Sequence, residues 1–363
     1  MGFFDKIKAG ASKAAQHAVE RARENAAEGN AQKERAPEDA EAYAKKVADS
    51  IDADVRMVSG CMDSQTSADV RDVSKFGLPN ADGAGGACTN AMLMSLVDSE
   101  ADTWVSLLKT MRETLKDKRF SQASSRIPQL STSRIIDVNG PFSVMNAESN
   151  GNTRALMIGI NYVGQQGELA GCHNDVCAMM NYISSQGYNT DPESCMVLMD
   201  DGEHQDPTRE NMTNGFRWLV DGASAGDSLF MHYSGHGAYV NDTSGDEADN
   251  KDETLVPLDF RSAGQISDDE ILRELVMVLP EGVTLTVLMD CCHSGSILDL
   301  PYALRADDDT ISAVEAGESP GMSVNPDFNL TKIIALAKEV YGMLKTGGLD
   351  VSNLGKLAGM AMS

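Results

Sequence analysis

Positive charge is what this sequence has least of. Lys and Arg number 30 against 55 Asp and Glu in 363 residues, a formal net charge of −25. Such a deficit argues against nucleic acid and anionic membrane as partners and favours cationic substrates or metal ions. Long apolar runs are missing too, and none approaches the length of a membrane span. The opening stretch Met1 to Ala11 lacks the apolar core of a secretory signal, and Lys6 stands where myristoylation of Gly2 needs Ser or Thr. The seven cysteines, at 61, 88, 172, 177, 195, 291 and 292, are odd in number and irregularly spaced. They form neither a disulfide framework nor a zinc-ligand pattern, so a reducing, cytoplasmic location is expected. Cys291 and Cys292 are adjacent, without the Cys-X-X-Cys spacing of thiol–disulfide exchange. No internal repeat is present, and the chain is expected to be monomeric.

Two stretches share one design. Thr284 to Ser296, T-L-T-V-L-M-D-C-C-H-S-G-S, begins as an apolar, β-branched run and ends in Asp290, two cysteines, a histidine and Ser-Gly. Its first half reads as a buried strand of a parallel sheet. Asp227 to Gly237, D-S-L-F-M-H-Y-S-G-H-G, is likewise a strand running into small residues and a histidine. Ligands gather at the carboxyl ends of strands in open α/β sheets. Two such ends side by side would set a thiol against an imidazole, the arrangement of thiol nucleophilic catalysis.

The rest of the chain divides around these strands. Residues 1–50 are rich in Ala, Glu, Lys and Arg and read as a helical extension, more a docking or dangling helix than a membrane-surface anchor because both charge signs are mixed. Residues 51–138 form a small module: a strand from Asp54, a polar loop, a Gly/Asp-rich loop, one helix from about Thr89 to Leu115, and a closing I-P-Q-L. Residues 139–152 are linker-like. From Thr153 to Tyr302 strands and helices alternate, which means βαβ units around a mainly parallel sheet with helices on both faces. Ser267 and Glu270 make a capping box for a helix to Leu279. After Pro301 the chain reads as an acidic loop to about Pro326, then a helix from about Asn329 to Leu344; 303–363 is a C-terminal extension.

His236 precedes Cys292 by 56 residues, close to the histidine-to-cysteine interval of caspases. The local words H-Y-S-G-H-G and D-C-C-H-S-G resemble those of metacaspases, the caspase relatives of plants, fungi, algae and protists. G-C-H-N-D-V from Gly171, D-E-T-L-V-P-L-D, I-S-D-D-E-I and S-G-S-I-L-D-L-P-Y resemble that family's signatures in the same order, over about Thr153 to Tyr302. S-G-C-M-D-S-Q-T-S-A-D, G-A-C-T-N-A and I-P-Q-L-S resemble its small region, which follows the catalytic region in most members and here precedes it, as in the type III metacaspases of algae. The resemblance implies one caspase-like α/β sandwich with the order of its small and large regions permuted.

It also implies a chemistry. Cys292 aligns with the nucleophile and His236 with its base, forming a thioester acyl-enzyme; Gly237 and Cys292 would offer backbone N–H groups to the oxyanion. Cleavage is expected after Arg or Lys, with Cys172, Asp175, Ser234 and Asp290 at the pocket positions. Calcium is the implied cofactor, on Asp252, Asp268, Asp269 and Asp299. His293 receives no proton-transfer role, and His232, inside its strand, reads as structural. A rival reading is a catalytically silent, calcium-sensing binding module, which would be free to lose the intact Cys292/His236 pair.

Overall fold

The computed structural model describes residues 51–60, 69–70, 84–97, 102–117, 127–146, 148–149, 151–241, 251–291 and 297–325. The helices expected over 1–50 and 329–344, and Cys292 to Ser296, lie outside the described residues.

In chain order the elements are β1 (Asp54–Ser59), β2 (Asp69–Val70), β3 (Gly85–Gly86), α1 (Ala87–Val97), α2 (Trp104–Asp117), β4 (Gln129–Thr132), β5 (Thr153–Gly159), α3 (Cys172–Ser185), β6 (Cys195–Met199) and α4 (Arg209–Val220). There follow β7 (Ser228–Ser234), β8 (Gly237–Asn241), β9 (Lys251–Leu255), α5 (Phe260–Ala263), β10 (Ile266–Ser267), α6 (Asp268–Ile271), β11 (Thr284–Asp290), β12 (Tyr302–Arg305), α7 (Asp308–Glu315) and β13 (Ser323–Val324). The main sheet has the order β13-β12-β4-β1-β11-β7-β5-β6. From β1 to β6 every pairing is parallel, and β4, β12 and β13 extend the sheet antiparallel.

Burial on both faces explains why these parallel strands read as unbroken apolar runs. Side chains alternate across the sheet. Leu156, Ile158, Leu229, Met231, Leu285 and Val287 face Met212, Phe216 and Leu219 of α4 and Ile271 of α6. Ala155, Met157, Phe230 and Leu288 face the other way, onto α1, α2 and α3 through Ala91, Met92, Leu107, Met111, Val176 and Met179. Fully burying one such large side chain contributes roughly 1.5–3 kcal/mol. The sandwich with helices on both faces is therefore built as the pattern implies, with β1 and β4 of the small module inside the same sheet as the catalytic-region strands.

Several elements differ from the expectation. The single helix expected from Thr89 to Leu115 is two, α1 and α2. Thr103 starts the second: its Oγ1 accepts from Ser106 N at 3.1 Å while Ser106 Oγ accepts from Thr103 N at 2.8 Å, a reciprocal cap built without a glutamate. The stretch from 139 packs onto the body: Phe142 meets Trp104 edge-on, Val144 is buried, and Asn146 Nδ2 donates to Gly282 O at 2.7 Å. The expected loop after Pro301 contains β12 and α7; Asp307 caps α7 by accepting from Thr310 N at 2.8 Å. The Ser267–Glu270 capping box is present, but its helix turns into a π-helical segment, Leu272–Val276.

His232 sits in β7 beside Met157 of β5 and Leu288 of β11, fully buried. Burial pushes its imidazole down from 6.5 to about 3, so it folds neutral. An unfolded chain takes up this proton below pH 6.5 while the folded one refuses it until about 3. Stability contributed by the neutral ring is thus complete above 6.5 and falls as pH drops through that window, by up to ~1.4 kcal/mol per pH unit. Urea unfolding of His232→Phe between pH 6.5 and 4 is expected to show a shallower acid slope than wild type. Equal slopes would remove His232 from the account of acid sensitivity.

Candidate active site

Parallel pairing brings the carboxyl ends of β5, β7 and β11 level: Gly159 and Asp290 both lie opposite Ser234. Each strand then runs into a segment carrying polar groups, which is where ligand sites of open α/β sheets form.

On one side of these ends stand two buried carboxylates. Asp175, in the first turn of α3, accepts from Ser234 Oγ at 2.7 Å, from Gly86 N at 2.8 and 3.0 Å through its two oxygens, and from Asn90 Nδ2 at 3.1 Å. Asp290, closing β11, accepts from Thr89 N at 2.7 Å. Both converge on Gly86, where a β-carbon would fall 2.1 Å from Asp290 Oδ2 and 2.8 Å from Asp175 Oδ2. Only glycine fits there. The first turn of α1 holds no acidic residue of its own. Its N–H groups and positive dipole end are met instead by carboxylates from two other elements. Cys172, at the start of α3, is buried, with its N–H donating to Asn161 Oδ1 at 3.0 Å and its backbone against Gly159. Asp175, Ser234 and Asp290 are thus brought together, and the small module adds Gly86, Thr89 and Asn90 as donors to the two carboxylates.

His236 lies beyond β7 on the Gly235–Gly237 turn, half-exposed. Its Nε2 stands 2.6 Å from the carbonyl oxygen of Gly167. A carbonyl only accepts, so Nε2 carries the proton and Nδ1 is the basic nitrogen. Gly167 belongs to the segment after β5, which is anchored by Asp200 at the end of β6. Asp200 Oδ1 accepts from Asn161 N at 2.8 Å and meets His173 Nε2 at 2.7 Å, and Oδ2 accepts from Val163 N at 3.0 Å. Burial raises the Asp200 pKa, but the hydrogen bonds from His173, Asn161 and Val163 outweigh it and hold the carboxyl below its ordinary value. Gly86, Asn90, Gly167 and Asp200 escaped the sequence reading; only G-A-C-T-N-A, which contains Gly86, Thr89 and Asn90, carried a signal there.

The four aspartates implied for calcium all have hard oxygen donors. Asp252, Asp268 and Asp299 are buried and Asp269 half-buried, and Asp299 takes a left-handed backbone with φ 43°. Asp252 Oδ1, Asp268 Oδ2, Asp269 Oδ1 and Asp299 Oδ2 are buried acceptors that receive no hydrogen bond, while each residue makes other interactions. Donor chemistry and buried acceptors fit a hard cation. Among the described residues no group of three His, Cys, Asp or Glu has the spacing of a metal site. Among the described residues no helix is long and apolar enough to cross a membrane.

A parallel-sheet sandwich with a histidine and buried carboxylates at its strand ends has the architecture of the caspase-like cysteine peptidases. A family profile described as "Metacaspase, peptidase C14 domain" matches residues 153–301. Metacaspase III c of Phaeodactylum tricornutum is 45% identical over 302 residues, covering 81% of this chain and 86% of that protein. Metacaspase-1 of Mycosarcoma maydis is 44% identical over 200 residues, covering 54% and 49% respectively. Metacaspase-1 of Eremothecium gossypii is 51% identical over 160 residues, covering 43% and 35%. The chain belongs to the metacaspase family and is a cysteine-type endopeptidase, so its substrates are proteins.

Proposed function

We propose that this protein is a calcium-dependent endopeptidase cleaving after Arg or Lys through a Cys292/His236 dyad. The observation that carries the specificity is the convergence of buried Asp175 and Asp290 beside Ser234 at the strand ends that also lead to His236. A guanidinium or ammonium entering there meets concentrated negative charge, and a guanidinium adds planar, bidentate donors.

In this reading His236 Nδ1 takes the Cys292 thiol proton and the thiolate attacks the carbonyl carbon after Arg or Lys. The tetrahedral oxyanion is held by the N–H groups of Gly237 and Cys292. Its collapse gives the thioester, and His236 returns its proton to the departing amine. His236 then takes a proton from water, whose attack releases the acid and regenerates the thiol. The protein acts alone and in the cytoplasm, with neither nucleic acid nor membrane.

Asp252, Asp268, Asp269 and Asp299 would hold calcium, which supplies positive charge and 6–8 coordination positions for oxygens from separate loops. Because these donors come from separate segments and not from one compact loop, binding would act as an ordering switch of modest affinity, ~10⁻⁴ to 10⁻³ M. Magnesium, with its stricter octahedral demand, should substitute poorly. A calcium titration of cleavage of a fluorogenic arginine peptide is expected to start from little activity in chelator. Asp268→Ala/Asp269→Ala should shift the midpoint to at least ~10-fold higher calcium. Full activity in excess chelator, or an unshifted midpoint, would refute the calcium role. Failure to cleave at any calcium concentration would favour the silent sensor.

A further inference from the structure

His236 is carried on a turn between β7 and β8, and two tyrosines hold its peptide groups. His236 N donates to Tyr162 Oη at 3.0 Å, and Tyr162 Oη donates to Val256 O at 2.6 Å. Tyr233 Oη donates to His236 O at 2.8 Å, and that carbonyl also accepts from Val256 N at 3.2 Å. The proton directions follow from the backbone groups, since an N–H must donate and a carbonyl must accept; Tyr233 Oη also lies 3.4 Å from Val256 O and from Tyr162 Oη, but its shortest contact is with His236 O. Both tyrosines are buried, at 1% and 0% exposure. The Tyr162 ring also lies along the imidazole, with centroids 4.7 Å apart and planes inclined by 34°.

Two further features belong to this arrangement. Tyr162 adopts φ 54°, a left-handed conformation uncommon for a bulky residue, which persists where the surroundings over-determine it. Gly235, just before the histidine, has no room for a side chain: a β-carbon would lie 2.8 Å from Tyr233 Oη and 3.2 Å from Tyr162 Oη. The hydroxyl pair and the glycine therefore occupy one small volume, and the backbone of His236 is fixed through its N–H and its carbonyl together.

We infer that Tyr162 and Tyr233 are positioning residues for the catalytic base, setting the place of the imidazole against the reacting thiol through the backbone of His236. This rests on the reading of His236 as that base. The two are not equivalent. Without the Tyr162 hydroxyl the His236 N–H loses its acceptor, whereas without the Tyr233 hydroxyl the carbonyl keeps Val256 N. Phenylalanine preserves both rings and removes only the oxygen.

The test is cleavage of an arginine peptide by Tyr162→Phe, Tyr233→Phe and Gly235→Ala, with His236→Ala beside them. Rates are expressed per active site titrated with an arginine-bearing thiol-directed inhibitor, so that a merely structural loss of folded protein drops out. Misplacing a catalytic group by about an ångström costs on the order of 10²-fold, so kcat per site is expected to fall ~10–100-fold in Tyr162→Phe and less in Tyr233→Phe. KM should change by less than about threefold, because the substrate pocket is left alone. Gly235→Ala, which presses on both hydroxyls from the other side, should reproduce the loss. Unchanged kcat per site in the variants, with His236→Ala inactive, would overturn the positioning role. A fully active His236→Ala would instead overturn the base assignment, and the positioning role with it.

Discussion

Cys292→Ala is expected to lower kcat/KM for an arginine peptide by ~10³-fold or more, and His236→Ala by nearly as much. In the proposed dyad the nucleophile and its base act as a unit, so removing either would lose most of what the pair supplies, leaving a residual rate from binding and the oxyanion donors alone. The neighbouring thiol is no substitute. Cys291 is buried at 1% exposure, packed into the core with Ile158, Met231 and Tyr233. Cys291→Ala should therefore keep most of the activity. An inactive Cys291→Ala alongside an active Cys292→Ala would move the nucleophile by one residue.

Asp290→Asn and Asp175→Asn are expected to cost ~10²–10³-fold in kcat/KM for arginine substrates, the loss that follows from leaving a buried cation without its counter-charge. A peptide with citrulline in place of arginine, similar in shape but uncharged, should lose far less, because nothing in it requires the carboxylates. The two variants should also differ in stability. Asp175 accepts from Gly86, Asn90 and Ser234, so its amide form turns a donor toward groups that are themselves donors. Thermal unfolding of Asp175→Asn should fall further than that of Asp290→Asn. Unchanged preference for arginine over citrulline in both variants would place the specificity charge on another acidic residue.

The large catalytic region was legible because its strands are buried on both faces: T-L-T-V-L-M or S-L-F-M-H-Y has few other destinations. What escaped was either short or settled by distant contacts. Tyr302–Arg305 is four residues long before an acidic run, and its strand character comes from pairing with Gln129–Thr132. Arg305, placed by the sequence in an acidic loop, is half-buried in that strand, where its Nε donates to Gln129 Oε1 at 2.9 Å. At the candidate site, Asp290 stood out as a polar residue closing an apolar strand, whereas Asp175 and Ser234 were named only through the resemblance of G-C-H-N-D-V and H-Y-S-G-H-G to metacaspase words. Tyr162 and Tyr233 were not legible, since a tyrosine beside an apolar run looks like core until its hydroxyl is placed, here against a residue 74 positions away for Tyr162 and three away for Tyr233.

Strand β1 lies between β4 and β11, paired with β11 over six residues from Asp54 to Ser59. A version of this protein beginning near Thr153 would keep every residue of the matched peptidase region yet bare the backbone of β11 along that length. An open, apolar strand edge is a template for pairing with other chains. Such a truncation should be recovered chiefly as aggregate, and supplying residues 51–138 as a separate polypeptide during refolding should return part of it to solution. The segment ahead of the peptidase region thus serves as the hydrogen-bonding neighbour that keeps β11 from recruiting a stranger.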